Sequence, residues 1–126
     1  MAEVSYTISR VESFKDDCHV VTWAAMANGD HGKAISMAGS ADKSIQVLGT
    51  LGVGGNVQVQ GSNVVSPTTT FASTDFVTLT DPQGNALDIN SLKVEMITEN
   101  TLFVRPEITA GDGTTSITVR MLVRRA

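Results

Sequence analysis

The sequence predicts an all-β fold, an antiparallel sandwich or barrel, and three observations carry that expectation. Apolar residues recur with a period of two in short runs, as half-buried strands require. Turn chemistry separates the runs at Asn28-Gly29-Asp30, Gly54-Gly55-Asn56, Asp81-Pro82-Gln83-Gly84-Asn85 and Gly111-Asp112-Gly113. Helical periodicity is scarce: the one weak candidate is Leu87 to Val94, where Asp88 or Asn90 would cap a single turn.

In chain order, the first strands are expected at Tyr6 to Val11, His19 to Met26 and Ala34 to Met37. In Ser44 to Leu48, Ile45 and Val47 fall on one face, and Ser44, Gln46 and Leu48 on the other. Gly52, Gly54, Gly55 and Asn56 then supply the positive-φ positions that a reversal needs. Asn56 to Gln60 follows, with Val57 and Val59 alternating with Gln58 and Gln60. Ser62 to Thr74, rich in Ser and Thr and containing Pro67, reads as a long connection. Further strands are expected at Phe76 to Leu79, Lys93 to Ile97 and Leu102 to Ile108. Pro106 has no N–H to donate, so that last run is expected at an edge or a bulge. The clearest strand ends the chain: Ile117, Val119, Met121 and Val123 share one face, and Ser116, Thr118, Arg120 and Arg124 the other. The total is about nine strands with little helix.

A length of 126 residues fits one domain spanning residues 1–126, able to bury a single core. A net charge of −4 and 17% charged residues argue against a general nucleic-acid surface. Cys18 is the only cysteine, which excludes an intrachain disulfide and any zinc site built on two or more thiolates. The amino terminus lacks a basic start followed by an apolar stretch, and the longest nearly apolar run, Val20 to Ala27, is too short to span a bilayer. A soluble protein made in the cytoplasm and without a membrane partner is expected.

Several groups resemble active sites without meeting their geometry. Cys18, His19, Asp16, Asp17, Asp30 and His31 are metal-ligand types, but a strand roughly 25 Å long separates His19 from His31. Gly29-Asp30-His31-Gly32 sets an acid beside a base with no placed nucleophile, and reads as a polar turn. Gly49-Thr50-Leu51-Gly52-Val53-Gly54-Gly55 lacks the Lys-Ser or Lys-Thr and the helix of a phosphate loop. Trp23 lies on an apolar strand and reads as a core ring; only 5% of residues are aromatic. No catalytic, cofactor-binding or metal-binding residue is expected, and the chain reads as non-enzymatic. The group that stands out is basic. Arg120 and Arg124 face the same way, roughly 13 Å apart, with Arg125 beside them and Arg105 on an earlier strand. Such a group suits docking on an acidic or carbonyl-rich surface, or guards a sheet against aggregation.

The order Trp23…Asn28-Gly29-Asp30-His31-Gly32, Gln46-Val47-Leu48-Gly49-Thr50-Leu51-Gly52, Val57-Gln58-Val59-Gln60-Gly61-Ser62-Asn63, Leu79-Thr80-Asp81-Pro82-Gln83-Gly84 and Glu99-Asn100…Arg105-Pro106-Glu107-Ile108-Thr109-Ala110-Gly111-Asp112-Gly113 resembles small structural proteins of tailed bacteriophages. In particular it resembles the capsid decoration, or cement, proteins. The resemblance runs from Val20 to Arg125 and rests on turn and strand signatures. One departure lies after Asn63, where Val64 and Val65 replace a polar residue and an aromatic, with Phe71 or Phe76 as the substitute.

The resemblance implies a β-sandwich of jelly-roll type on the capsid exterior, where symmetric oligomers clamp neighbouring major capsid subunits. The implied partners are the major capsid protein and further copies of the chain, a trimer first and a dimer next. Contact residues are expected in the terminal regions: the arm at residues 1–11 with Tyr6 and Arg10, and the basic group Arg105, Arg120, Arg124 and Arg125. Two other classes fit the composition: a phage tail component such as a tube, terminator or fibre-associated protein, and a carbohydrate-binding sandwich, which would need exposed aromatics.

Overall fold

The computed structural model describes residues 2–10, 18–37, 40–65 and 71–125. The described chain is nearly all β and forms two sheets that share one core. Its strands are β1 (Glu3–Val4), β2 (Tyr6–Arg10), β3 (Cys18–Met26), β4 (His31–Gly32), β5 (Ile35–Ser36), β6 (Ser40–Thr50) and β7 (Asn56–Ser62). They continue as β8 (Val77–Thr78), β9 (Asp88–Ile89), β10 (Val94–Ile97), β11 (Phe103–Ala110) and β12 (Ser116–Arg125). The five-stranded sheet has the order β10-β6-β12-β3-β2. The seven-stranded sheet runs β1-β4-β11-β7-β8, with β5 also against β11 and β9 against β7. Among the described residues all ladders are antiparallel except β1 with β4.

Period-two alternation fills the core. Ile117, Val119, Met121 and Val123 of β12 are all buried, as are Ile45 and Val47 of β6 beside them. The opposing sheet contributes Val57, Val59, Val104 and Ile108 to the same cluster. Each such side chain contributes about 1.5–3 kcal/mol when removed from water. Trp23 is fully buried, meets Tyr6 edge-on with ring centroids 6.0 Å apart, and donates from Nε1 to the Lys33 carbonyl at 3.0 Å. It is the core ring that its strand predicts.

Three details differ from the sequence reading. The segment Leu87 to Val94 holds no helix: Asp88–Ile89 is a strand paired with β7, because Leu87 and Ile89 both point into the core at period two. Among the described residues the helix that occurs is a single 3-10 turn at Ser73–Asp75, at the end of the expected connection, of which residues 66–70 lie outside the described part. Pro106 is not on an edge, since β11 has β7 on one side and β4 and β5 on the other, and the register shift of this strand falls further on, between Ile108 and Ala110. The Ile108 amide donates to Asp30 beside β4, so by strand alternation the nitrogen of Pro106 faces that same side. There the chain breaks between β4 and β5, and no ladder bond is asked of the proline. Its ring closes on Gly32, where an added Cβ would lie 2.7 Å from Pro106 Cδ and 2.6 Å from Trp23 Cδ1.

The described part of the amino-terminal segment, residues 2–10, is paired into both sheets. Glu3–Val4 joins the seven-stranded sheet, and Tyr6–Arg10 is the outer strand of the five-stranded one, so the chain crosses between sheets at Ser5. Met1 and Val11, the ends of the expected arm, lie outside the described residues, as do Asp16 and Asp17.

Candidate contact surfaces on the two sheets

The side of the five-stranded sheet turned away from the core is set by the same alternation that buries Val119 and Met121. One row across it reads Thr7, Thr22, Arg120, Gln46 and Val94, and the next Ser9, Val20, Leu122, Ser44 and Met96. Arg120 therefore stands in a setting that is half apolar. Val20, Leu122 and Val94 line, with Ser44 and Gln46, a shallow depression of about 330 Å³ around it. Val94 and Met96 on the outer strand β10 are 57% and 53% exposed, high for large apolar side chains. Arg124 lies two positions further along, in register with Asp42 and Cys18.

The outward side of the seven-stranded sheet is built differently. A row of His31, Glu107, Gln58 and Asp88 crosses four strands. Asp88 Oδ1 accepts from the side-chain amides of Asn56 at 3.1 Å and Gln58 at 3.2 Å, and Glu107 accepts from Gln60 at 2.8 Å. Arg105 is sunk in this side, 8% exposed. Its Nε donates to Gln60 at 2.9 Å, and one terminal nitrogen lies 3.8 Å from Glu107. Burial pulls its guanidinium below the ordinary value, while the charges of Glu107 and Glu3 pull the other way. Phe76 packs against it, and Phe71 bridges Phe76 and Phe103 at 5.1 and 5.0 Å between centroids. A cleft of about 500 Å³ opens beside Arg105, with Tyr6, Phe71 and Phe103 among its walls and His31 3.8 Å from Glu3 at its rim.

The six residues expected to form contacts are thus divided. Arg120 and Arg124 share the outward side of the five-stranded sheet, and the side chain of Arg125 lies outside the described part. Arg10 ends the outer strand β2 of that same sheet, opposite His19. Tyr6 packs on Trp23 at the sandwich edge and reaches the cleft. Arg105 does not belong with the other arginines: it sits on the other sheet, buried against Phe76 and bonded to Gln60, because β11 and β12 lie in different layers.

The sequence reading missed the apolar neighbours of Arg120. Their signal was present in Leu122, an apolar residue in the exposed parity between Arg120 and Arg124, and in Leu48 opposite Ile45 and Val47. The acidic pair Glu107 and Asp88 had no such signal, since 19 residues separate them in sequence and only pairing through β7 brings them into one row.

The Gly29-Asp30-His31-Gly32 group leaves the turn at Gly29 and enters strand β4 at His31, so the expected polar turn holds for its first half alone. The Asp30 carboxylate accepts the Ala27 amide at 2.9 Å and the Ala2 amide at 3.1 Å, and these bonds hold it below its ordinary pKa. Among the described residues, no three His, Cys, Asp or Glu side chains converge as metal ligands would. The glycine-rich loop after β6 is fastened to the loop before β12: Asp112 accepts the Val53 amide at 2.8 Å, and Thr115 donates to the Leu51 carbonyl at 2.9 Å. No protein-family model, curated protein or solved structure matches the chain.

Proposed function

We propose that this chain is a non-enzymatic structural protein of a tailed-phage virion, made in the host cytoplasm and bound to the outside of the capsid shell. There it stabilises the shell by clamping neighbouring major capsid subunits. The observation that carries the reading is the outward side of the five-stranded sheet, where Val20, Leu122 and Val94 line a depression with Arg120 and Met96 lies in the next row. An apolar band around a cation, on a rigid sheet, suits protein contact better than solvation. The resemblance of its turn and strand signatures to those of decoration proteins supports the same reading and implies a jelly-roll connectivity. A clamp acts at many identical sites, so modest affinity per contact is multiplied by repetition and tension is spread over many joints.

The test is to mix purified protein with expanded capsid shells lacking it and with unexpanded shells, then follow co-sedimentation and added density by electron microscopy. Saturable binding to expanded shells is expected, weakened when Arg120, Arg124 and Arg125 are all replaced by serine. Absence of binding to either shell overturns the reading, and assembly into tubes without shells would transfer it to a tail component.

A further inference from the structure

The two outward sides of this sandwich carry opposite charge. On the five-stranded sheet, among the described residues, Asp42 is the carboxylate in register on that side, and it faces Arg124. Arg120 has Thr22 and Gln46 as its cross-strand neighbours, with no carboxylate beside it among the described residues. On the seven-stranded sheet the row through Gln58 carries Glu107 on one flank and Asp88 on the other. Asp88 is exposed, and both amides that bind it reach the same oxygen, Oδ1. Among the described residues Oδ2 meets no donor, so this carboxylate is held in place with one oxygen left to an outside cation. Of the cations on that side, Arg105 is buried and already engaged by Gln60 and Glu107, and Lys33 lies in the connection from β4 to β5, across β11 and β7 from Asp88.

We infer that the outward side of the five-stranded sheet seats a second copy of this chain, with Arg120 of one copy meeting Asp88 and Glu107 on the seven-stranded sheet of the next. Charge fixes the mode. Two copies joined by the same side around a two-fold axis would bring together two sets of Arg120 and Arg124 with one in-register carboxylate, Asp42, in each, and an excess of like charge in a desolvated contact opposes association. A head-to-tail contact pairs arginine with carboxylate at every joint and closes into a ring when the rotation permits. The same contact covers Val94 and Met96, which the isolated chain leaves in water. The inference rests on reading the chain as a multi-copy structural protein, and it gives this side of the sheet to the neighbouring copy and not to the shell, so that Arg120 acts on shell binding through the number of linked copies.

The experiment is sedimentation velocity of the full chain over a range of concentrations, with Arg120→Glu, Asp88→Lys and the double variant alongside. Both positions are exposed, and Trp23 emission reports whether each variant keeps the native core. The expected result is a wild-type ring, self-association weakened on the order of tenfold or more in each single variant, and recovery in the double variant. A wild type that stays monomeric overturns the inference, as does an oligomer that both single variants leave unchanged or that the double variant fails to restore. Shell binding separates the two readings: a monomer that binds shells sinks the head-to-tail contact alone. A charge-dependent ring that binds no shell supports this contact and sinks the capsid role.

Discussion

The guanidinium carbon of Arg105 lies 3.9 Å from the centre of the Phe76 ring. The 3-10 turn at Ser73–Asp75 delivers that ring, so a cation on a sheet strand fastens the connection that passes over it. Gln60 and Glu107 complete the setting. Arg105→Ala would remove the stacking and leave Gln60 Oε1 without its donor. A loss of about 2–4 kcal/mol is expected in urea unfolding. Arg105→Lys keeps the charge without the planar fork and is expected to fall between the two.

Gly32 sits between Trp23 and Pro106, at distances that leave no room for a Cβ. Gly32→Ala would push the indole or the proline ring out of place, at an expected cost of about 1–3 kcal/mol. Trp23 is the only tryptophan, so its emission is expected to shift to the red as the ring meets water.

Asp112 binds the Thr114 hydroxyl, the Val53 amide and the Thr114 amide, and its pKa falls from the ordinary 3.8 to about 2. In this interval the unfolded chain takes up a proton that the folded chain refuses. The stabilisation is therefore complete above about pH 4 and lost as the pH falls towards 2. Asp112→Asn should lower the thermal midpoint at neutral pH and make its decline in acid shallower. Asp81, held down by the Asn85 amide, and Asp30, held down by the Ala27 amide, keep part of the decline in place.

Lys43 is 2% exposed on β6 and donates to Asn100 Oδ1 at 2.8 Å. Burial pulls its ammonium below the ordinary 10.5, while the charges of Asp42 and Glu99 oppose that pull. Here the sign reverses from the acids: the folded chain gives up its proton first, so the burden of a buried charge fades as the pH rises towards 10.5. The stability of the wild type relative to Lys43→Met should climb over the alkaline range, measured by urea midpoints from neutral pH upward. A flat difference would mean that the folded-state amine is unshifted.

Alternation and turn chemistry made each of the nine expected strands legible, and β12 was the plainest because Ile117 to Val123 alternates without a break. The two-residue strands Glu3–Val4, His31–Gly32 and Asp88–Ile89 were not legible. Two residues cannot display a period unless apolar flanks extend it, as Met37 does for Ile35–Ser36 and Phe76 and Leu79 do for Val77–Thr78, and such strands exist because a longer neighbour, β11 or β7, or another short strand offers them hydrogen bonds.

The candidate surface was half legible. Arg120 and Arg124 could be assigned to one side of one strand from their spacing, because period two is a property of the strand itself. Which strands flank them is a property of the sheet order β10-β6-β12-β3-β2, which joins residues from opposite ends of the chain. That order placed Val94 and Val20 around Arg120, removed Arg105 to the other layer, and set Glu107 and Asp88 either side of Gln58.

The sequence by itself determined which side chains point inward, where the long strands run, and where the chain turns, since these follow from local periodicity and from residues such as Gly54 and Pro82. The tertiary structure alone decided that Pro106 lies within a sheet, that Arg105 is buried, and that the two outward sides carry opposite charge. Pairing between strands distant in the sequence is selected by the burial of the whole core, and no local stretch carries that information.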